Sequence, residues 1–402
     1  MKVLFVNLVY GTGSTGKIIT DIMNLLKKYG NDVKVLYGTG VCSDNADAVK
    51  VSGDFGYYFH NAVSRFTDHA GLYSWAATRK MIREIRAFQP DLIHLHTLHG
   101  FYVNYEMLFR FLKEANIPVV WTLHDCWTFT GHCTHFSQVK CMQWQTECRD
   151  CKLLHRYPQC YWKGDVTRNY LRKKRAFTGL NNLTITTPSQ WLADQVSQSF
   201  LQNYPRTVIP NGIDRTIFCP QSSSLREKYH LEDKKIVLGV ANAWNARKGL
   251  PDLLTLAERL GPDYQVVLIG LIEKQLPEIP PNVLGLLRTE NQTELAQWYS
   301  AADVFVNPTY EETFGLTTVE AQACGTPVVV YETDGCPETV TPGNGRLIPQ
   351  GDMQALENAV RDITDSGLRA DPQKMARFDK NTVYQDYIGL YESTLSALKK
   401  DV

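Results

Sequence analysis

The chain has 402 residues, and its 44% hydrophobic and 21% charged residues are typical of a globular protein and exclude a disordered or fibrous one. The 42 Lys and Arg residues balance 42 Asp and Glu residues, so the formal charge of +0 gives no general attraction to nucleic acid or to an anionic membrane. Ten cysteines are too few for a disulfide scaffold. The length predicts two or three domains.

No apolar run approaches the roughly 18 residues of a membrane helix, and the apolar opening stretch is not followed by a signal-peptide cleavage site. We therefore expect a cytoplasmic protein whose thiols stay reduced.

Short β-branched runs alternate with amphipathic stretches in the first half of the chain. Strands are predicted at VLFVNLVY, DVKVLYG, DLIHLH, IPVVWTLHD and LTITTPS, and helices over 18–29, 76–88, 105–115 and 191–200. A second series has strands at KIVLGVA, YQVVLIG, DVFVNP and TPVVVY, and helices over 250–260, 293–301 and 319–324. This alternation predicts an α/β protein with two doubly wound parallel sheets.

The repeated series predicts two Rossmann-like domains that face a central cleft, with domain 1–205 followed by domain 206–380. The Pro-rich and Gly-rich segment NYPRTVIPNGID supplies the boundary near Pro205. Residues 381–402 have helical spacing with no strand after them, which predicts a C-terminal helix that packs back on the first domain. Ligands of such sheets bind at the carboxyl ends of the strands.

A glycine-rich loop, GTGSTGK, follows the first strand and opens the first helix. A nucleotide-binding P-loop needs Ser or Thr after Lys17, but Ile18 stands there, and a dinucleotide-binding fingerprint fits only weakly. Two interpretations stay open. Gly13 and Gly16 could bring the backbone close to an anion at the helix N-terminus, or the loop could be a tight turn without a ligand.

Glu312 and Glu320 are separated by seven residues. On a helix they lie up to about 12 Å apart, whereas glycosidases hold their two carboxyl groups roughly 5 to 9.5 Å apart. The longer span fits a nucleotide diphospho-sugar, with Glu312 at the sugar, a helix N-terminus at Gly315, Leu316 and Thr317 at the diphosphate, and Glu320 at the ribose. The alternative is a capping acid followed by a solvated helix glutamate.

Several segments in the correct order resemble one enzyme family. AADVFVNPTYEETFGLTTVEAQACGTPVV resembles the E-x7-E region of family 4 retaining glycosyltransferases, VIPNGID is similar to their inter-domain signature, and VLGVANAWNARKGLPDLL resembles their donor-phosphate loop. In the first half, STGKIITDI, FTDHAGLYSWAAT, DLIHLHTLHG and TLHDCWTFTGHC are similar to the bacterial exopolysaccharide enzymes of the colanic-acid type. The resemblance covers nearly the whole chain.

This resemblance implies the GT-B fold and the transfer of a sugar, with retention at the anomeric carbon and without a catalytic metal. The donor would be a nucleotide diphospho-sugar, and the acceptor a glycan or lipid-linked oligosaccharide of bacterial surface polysaccharide synthesis. Glu312 and His124 would contact the donor sugar as catalytic residues, Lys248 the diphosphate and Glu320 the ribose. The helix that starts after Phe314 would present its N-terminus to the diphosphate.

The chain departs from the family pattern at two positions. Gly-Arg usually stands five to six residues before the phosphate-binding lysine, but Asn242 and Ala243 occupy these positions here. Arg247 could replace the missing cation, because a guanidinium grips two phosphate oxygens at once, or it could be a surface charge. Gly335-Cys336-Pro337 replaces the usual Gly-Gly motif, so we assign Glu338 only a loop-closing role.

The other histidines of the first half have less specific contexts. His94 and His96 alternate with apolar residues, which predicts hydrogen-bonded core positions, whereas the role of His99 stays open.

Four cysteines, Cys133, Cys141, Cys148 and Cys151, form the pattern C-x7-C-x6-C-x2-C. Four reduced thiols at this spacing predict a structural zinc site that orders the cysteine-rich loop 126–160, with free thiols as the alternative. Several neighbours in the sequence are candidate substitutes or flanking thiols, namely Cys126, His132, His135 and Cys160.

The run RNYLRKKR over 168–175 predicts a basic helix after a candidate N-cap at Asp165. It could be a solvated face, or it could contact the anionic inner membrane or a pyrophosphate-linked lipid acceptor. No nucleic-acid module is recognisable, so we expect no nucleic-acid partner. Aromatic residues that could be core, or could contact sugar or lipid, are Tyr57, Tyr58, Phe59, Phe66, Tyr73 and Trp75.

Two alternative functions remain at this stage. A non-hydrolysing nucleotide-sugar epimerase has the same architecture, and a zinc-bearing scaffold without activity would also fit. The donor base, the sugar and the acceptor cannot be predicted, since variable loops build these pockets.

Overall fold

A computed structural model of the chain describes residues 1–40 and 45–400, with the side chains of 398–400 left out. The chain divides into two compact units. The first contains Met1–Pro210 and the residues from Val383 onward, and the second contains Asn211–Thr382. Each unit is built on one parallel sheet, so the predicted α/β class with two Rossmann-like domains is confirmed.

The first unit has a sheet in the order β3-β2-β1-β4-β5-β6-β7, in which all neighbouring strands are parallel. Its strands are β1 (Lys2–Asn7), β2 (Asp32–Tyr37), β3 (Ala48–Lys50), β4 (Leu92–Leu95), β5 (Val119–Thr122), β6 (Leu183–Thr187) and β7 (Arg206–Val208). Its helices up to the unit boundary are α1 (Gly13–Lys28), α2 (Asp54–Thr67), α3 (Trp75–Phe88), α4 (Tyr105–Ala115), α5 (Val166–Phe177) and α6 (Gln190–Ser197).

The second unit repeats this plan with a sheet in the order β10-β9-β8-β11-β12-β13, again parallel throughout. Its strands are β8 (Lys235–Val240), β9 (Tyr264–Ile269), β10 (Val283–Leu286), β11 (Val304–Asn307), β12 (Val328–Tyr331) and β13 (Gly345–Ile348). Its helices are α7 (Leu225–Lys228), α8 (Leu250–Leu260), α9 (Gln292–Ala301), α10 (Leu316–Ala323) and α11 (Met353–Ser366).

The central strands are buried on both faces, as expected of a parallel sheet covered by helices. In β1, Leu4 and Val6 pack into one core with residues of α3 and α4, while Val3 and Phe5 pack into a second core with residues of α1. Because successive side chains of a strand point to opposite faces, one apolar run fills both layers.

The last helix, α12 (Lys380–Lys400), returns to the first unit. Tyr384, Tyr387 and Tyr391 are buried in the core on the α1 side of the sheet. The Tyr391 hydroxyl lies 2.6 Å from His94 Nδ1, and the Tyr387 hydroxyl lies 3.1 Å from Thr122 Oγ1. The sequence predicts a boundary near Pro205, and in the structure the first compact unit extends to Pro210 before the second begins at Asn211.

Several elements have no counterpart among those predicted. Strands β3, β10 and β13 are edge strands of three or four residues each, so their apolar patterns are too short to stand out. Helix α2 also has no predicted counterpart, although Phe55, Phe59 and Phe66 stand at helical spacing. Among the described residues, the helices are all too short or too polar to cross a membrane.

Candidate functional site

The carboxyl ends of β8 and β11 are adjacent in the second sheet, although the chain visits β9 and β10 between them. The strand order therefore reverses between β8 and β11. Parallel sheets bind ligands at such switch points, because the loops on either side diverge and leave a crevice. Arg247 and Lys248 lie on the loop after β8, and Glu312 lies on the loop after β11.

The two loops approach each other closely at Gly249. This residue has a φ of +76°, and a Cβ atom there would lie 2.2 Å from the carbonyl oxygen of Pro308, so only glycine fits. Just before it, the Asn245 side chain accepts a hydrogen bond from the Lys248 backbone N–H at 3.1 Å. The lysine is therefore held at the end of a short 3-10 turn, Ala246–Lys248.

Arg247 fixes the second loop through its backbone and its side chain. Its carbonyl oxygen accepts from the Tyr310 N–H at 2.8 Å, and its guanidinium donates to the Glu311 carbonyl oxygen at 2.8 Å. One N–H group of the guanidinium is thus occupied by a hydrogen bond within the protein. It has further N–H groups, since a guanidinium carries five.

Lys248 and Glu312 form an ion pair across the two loops. Both side chains are partly accessible, at 23% and 22% exposure, so a ligand can reach them. The Asp334 carboxylate accepts from the Glu312 N–H at 3.1 Å, and the Glu312 carbonyl oxygen accepts from the Gly335 N–H at 3.0 Å. The backbone of the glutamate is therefore fixed while its side chain faces the lysine.

Helix α10 begins at Leu316, four residues after this glutamate. Gly315 precedes it with a φ of +95°, and Leu316 and Thr317, in its first turn, are half-buried. Phe314 is buried and its ring packs against the Phe378 ring, with the ring centres 5.9 Å apart. The free N–H groups and the dipole of a helix N-terminus favour an anion at this position.

Glu320 lies one to two turns further along α10, where it accepts a hydrogen bond from the Tyr299 hydroxyl at 3.0 Å. Tyr299 belongs to α9 and is fully buried. Burial, together with the nearby Glu320 carboxylate, raises the pKa of Tyr299 well above its ordinary value. The tyrosine therefore stays protonated and orients the glutamate as a hydrogen-bond donor.

The first sheet has an equivalent switch point between β1 and β4. Gly13 opens α1 with a φ of +64°, and a Cβ atom at Gly16 would lie 3.3 Å from the backbone nitrogen of Gly11. The Asn7 side chain donates to Thr15 Oγ1 at 3.2 Å and accepts from the Thr97 N–H at 3.2 Å. The glycines thus permit a tight turn between β1 and α1.

His124 follows β5 and contacts a neighbouring histidine. Its Nε2 atom lies 3.0 Å from His96 Nδ1, and the two rings stack with their centres 5.3 Å apart. Burial lowers the pKa of His124 to about 4, so the imidazole is neutral at pH 7. His94 and His96 are buried, as predicted, and His94 is bonded to Thr122 Oγ1 at 2.7 Å.

His99, whose role the sequence left open, is paired with Asp125. The His99 Nε2 atom lies 2.7 Å from the carboxylate, and Nδ1 lies 3.0 Å from the Tyr157 hydroxyl. Burial by itself raises the pKa of Asp125, but the interactions with His99 and with the Trp127 N–H outweigh this effect. The pKa of Asp125 is therefore lowered to about 2. Asp125, Tyr299 and Asp334 were missed by sequence reasoning, since none stands in a recognisable spacing.

The basic helix α5 has exposed cations with partners and one buried cation. Arg168 pairs with Asp165 at 3.6 Å, and Arg175 pairs with Glu106 at 3.5 Å. Lys173 is buried and donates to the carbonyl oxygens of Trp127 and Thr130 at 2.7 and 3.1 Å. Burial lowers the pKa of Lys173 to about 7. The run is therefore not a uniformly solvated face.

The structure gives no support to the predicted zinc site. Within residues 1–40 and 45–400, no set of three or more His, Cys, Asp or Glu side chains is arranged to hold a metal ion. Cys148 Sγ accepts from the Gly131 N–H at 3.2 Å, Cys151 Sγ accepts from the Leu153 N–H at 3.4 Å, and Cys133 is hydrogen-bonded to Cys151.

These four cysteines, Cys133, Cys141, Cys148 and Cys151, are free thiols. The buried Lys173 side chain lies near Cys133 and Cys148. A cavity of about 240 Å³ is lined by Cys133, Cys141 and Cys151. The loop 126–160 packs into the large core of the first unit, in which its residues Phe129, Phe136 and Trp144 are buried.

Comparisons with known proteins agree with the division into two units. A model of the "Glycosyltransferase Family 4" domain matches residues 15–217, and a model of "Glycosyl transferases group 1" matches residues 221–382. The chain is 31% identical over 213 residues to a D-inositol 3-phosphate glycosyltransferase from Stackebrandtia nassauensis, an alignment that covers 46% of this chain and 48% of that protein. It is 24% identical over 322 residues to WcaC of Escherichia coli, a colanic acid biosynthesis glycosyl transferase by name. This alignment covers 77% of this chain and 78% of WcaC.

The alignments with the first curated relatives span about half of their length or less, at 23%, 48% and 54%. Among solved structures, HepE of Anabaena in complex with UDP-glucose superposes with a TM-score of 0.66 at 20% identity and covers 99% of this chain and all of that one. At this identity the likeness concerns the fold.

Proposed function

The chain belongs to glycosyltransferase family 4, and we propose that it is a retaining enzyme whose second unit binds a nucleotide diphospho-sugar at the switch point between β8 and β11. The observation that carries the proposal is the Lys248–Glu312 ion pair beside the N-terminus of α10. A cation for the diphosphate and a carboxylate for sugar hydroxyls are held together there by fixed backbone contacts.

In the proposed complex the diphosphate takes the place of Glu312 as the partner of Lys248. Arg247, through the N–H groups it does not use for Glu311, and the first turn of α10 at Gly315, Leu316 and Thr317 add positive polarity. When the bond between the anomeric carbon and the diphosphate breaks, negative charge grows on the departing phosphate oxygen. These groups stabilise that charge, and we expect this stabilisation of the leaving group to be the main electrostatic contribution to catalysis.

The released Glu312 carboxylate then accepts hydrogen bonds from donor-sugar hydroxyls, and Glu320, oriented by Tyr299, accepts hydrogen bonds from the ribose. Phe314 anchors the loop between the two glutamates through its packing on Phe378. From the first unit, we propose that neutral His124 forms a hydrogen bond with the donor sugar and that Gly13 and Gly16 allow the backbone of their loop to approach the diphosphate. The acceptor hydroxyl forms the new bond to the anomeric carbon, and its proton leaves with the phosphate.

We further propose that the acceptor is a glycan or a lipid-linked oligosaccharide of bacterial surface polysaccharide synthesis and that the reaction takes place in the cytoplasm. The similarity to WcaC over most of the chain supports this acceptor class. The HepE complex with UDP-glucose supports a nucleotide diphospho-sugar as donor, because its fold is the same.

A thermal-shift panel tests the donor assignment. A ligand that binds only the folded protein raises its melting temperature, so one or more nucleoside diphosphates should stabilise the wild type and should not stabilise Lys248→Ala. Transfer with the matching sugar donor, followed by NMR of the product, should show the anomeric configuration of the donor. If no nucleoside diphosphate stabilises the wild type, or if the variant responds equally, the donor assignment is wrong.

A further inference from the structure

Helix α2 presents its apolar residues outward. Phe55, Phe59, Ala62 and Phe66 recur at spacings of four, three and four residues, which places them on one face of the helix. All four are exposed, and the exposed fractions of the three phenylalanines are 85%, 51% and 61%. Two residues on the opposite face, His60 and Ser64, are buried. Globular helices normally have the reverse arrangement.

A neighbouring loop extends this exposed surface. The Tyr161 ring lies 6.4 Å from the Phe66 ring, and the Tyr161 N–H donates to the Arg65 carbonyl oxygen at 2.7 Å. The next residue, Trp162, is 73% exposed. We call the set Phe55, Tyr58, Phe59, Phe66, Tyr161 and Trp162 the aromatic face. Exposed apolar surface of this kind marks an interaction site.

Cations border the aromatic face at both of its ends. At one end, Lys80 Nζ donates to the carbonyl oxygen of Lys50, whose own ammonium pairs with Asp54 at 2.8 Å. At the other end, the Arg65 guanidinium lies 5.7 Å from the centre of the Tyr161 ring, and Lys163 is exposed.

The acidic residues in and beside 48–67 and 157–164 all have partners: Asp54 pairs with Lys50, Asp47 with Lys27, and Asp165 with Arg168, while Asp68 is buried against His132. The charge around the aromatic face is therefore positive, although the chain as a whole has a formal charge of +0.

We propose that the aromatic face is a docking surface for an anionic lipid bilayer, with the phenylalanines and Trp162 in the headgroup boundary and the cations on lipid phosphates. Phenylalanine has no hydrogen-bonding group, so three of them on one stripe fit acyl chains better than they fit a polar glycan. Trp and Tyr favour the membrane interface, and a positive border complements anionic headgroups. This inference extends the proposed function, because it would bring the enzyme to a lipid-linked acceptor.

Vesicle co-sedimentation of the full chain tests the inference. Wild-type protein should bind vesicles of equimolar phosphatidylcholine and phosphatidylglycerol and should bind phosphatidylcholine vesicles weakly. Each serine in the double variant Phe55→Ser/Phe59→Ser should weaken binding by about tenfold, because the burial of each phenylalanine is lost. Tyr29→Ser is the matched control, since Tyr29 is an exposed aromatic residue of the first unit outside the aromatic face, and it should bind like the wild type.

Two further measurements separate the alternatives. Tryptophan fluorescence should shift to the blue on anionic vesicles, and Trp162→Phe should remove most of that shift. Equal vesicle binding by wild type and double variant, or no binding by wild type, would overturn the inference. A concentration-dependent dimer in sedimentation that the double variant abolishes would instead assign the face to a second copy. The thermal shift with a nucleoside diphosphate should be unchanged in the double variant, so failure of membrane docking is distinguishable from failure of the donor assignment.

Discussion

Lys248 and Glu312 lie on different loops of the second sheet and form an ion pair that neutralises both charges. This pairing makes the two residues separable by experiment. Lys248→Ala removes the proposed diphosphate contact, so we expect turnover to fall on the order of a hundredfold and the stabilisation by a nucleoside diphosphate to be lost. Steady-state kinetics and thermal shift measure these effects.

Glu312→Ala should have a different signature. Turnover should fall by a similar factor because the sugar loses its carboxylate, but the freed Lys248 should bind a nucleoside diphosphate at least as tightly as in the wild type. Lys235→Ala is the control, because it breaks a comparable ion pair, Lys235–Asp365 at 2.6 Å, elsewhere in the same unit. Wild-type turnover in Lys248→Ala or Glu312→Ala would refute the assignment.

The hydrogen-bonded pair Glu320 and Tyr299 leads to a prediction about the selectivity for ribose in the donor. A charged hydrogen bond contributes about 1.5 to 3 kcal/mol, so the wild type should bind a ribonucleoside diphosphate roughly ten- to a hundredfold more tightly than its 2′-deoxy counterpart. Glu320→Ala should abolish this preference. Tyr299→Phe, which removes only the 3.0 Å hydrogen bond that orients the glutamate, should reduce it and raise KM more than it lowers kcat. An unchanged preference in Glu320→Ala would place the ribose elsewhere.

The sequence predicted the parallel sheets and most of the helices, because long amphipathic and β-branched segments report burial directly. It also identified Lys248, Glu312 and Glu320 as candidates, since these residues stand in a motif. Motif reasoning could not find Tyr299 or Asp334, because each acts through a hydrogen bond to a residue distant in the sequence. The four cysteines show the opposite limit. Their spacing resembles a zinc site, but spacing does not fix how the folded loop arranges the thiols, and the described residues hold no metal-binding arrangement of them.

Buried histidines make the stability of the first unit dependent on pH. Burial lowers the pKa of His60 to about 4, and burial also lowers the pKa values of His94 and His96 well below the ordinary value. Because the unfolded chain binds these protons near pH 6.5, stability is complete above this pH and falls as the pH drops towards 4. For His60 alone the loss at about pH 5 is on the order of 2 kcal/mol.

Urea unfolding followed between about pH 7.5 and 5 measures this loss, which should approach 1.4 kcal/mol per pH unit for each titrating histidine. His60→Gln should flatten the dependence even if its overall stability is lower. The control is His230→Gln, since His230 is exposed in the second unit. A profile that does not change with pH in the wild type would contradict the buried, neutral state of these rings.

The thiols of loop 126–160 should differ in reactivity. The hydrogen bond from Cys133 lowers the pKa of Cys151 below its ordinary value, whereas burial raises the pKa of Cys148 to about 12. The thiolate is the reactive form, so iodoacetamide at neutral pH should label Cys151 first, as peptide mass spectrometry can show. Cys133→Ala should slow this labelling by about tenfold, while Cys126→Ala should not. Protection of all four thiols, together with one zinc ion per purified chain, would restore the metal site.

Helix α12 should stabilise the first unit although it follows the second unit in the chain. Tyr387 and Tyr391 are fully buried and contact Thr122 and His94, so Tyr387→Ala should cost about 3 to 5 kcal/mol, as large-to-small core substitutions do. Hydrogen exchange should then show lost protection in β4 and β5 and unchanged protection in β8 and β11. Glu392→Ala, an exposed change on the same helix, is the control. An equal loss of protection in β8 would contradict the assignment of α12 to the first unit, because the cavity lies in the core that α12 shares with strands of the first sheet, including β4 and β5.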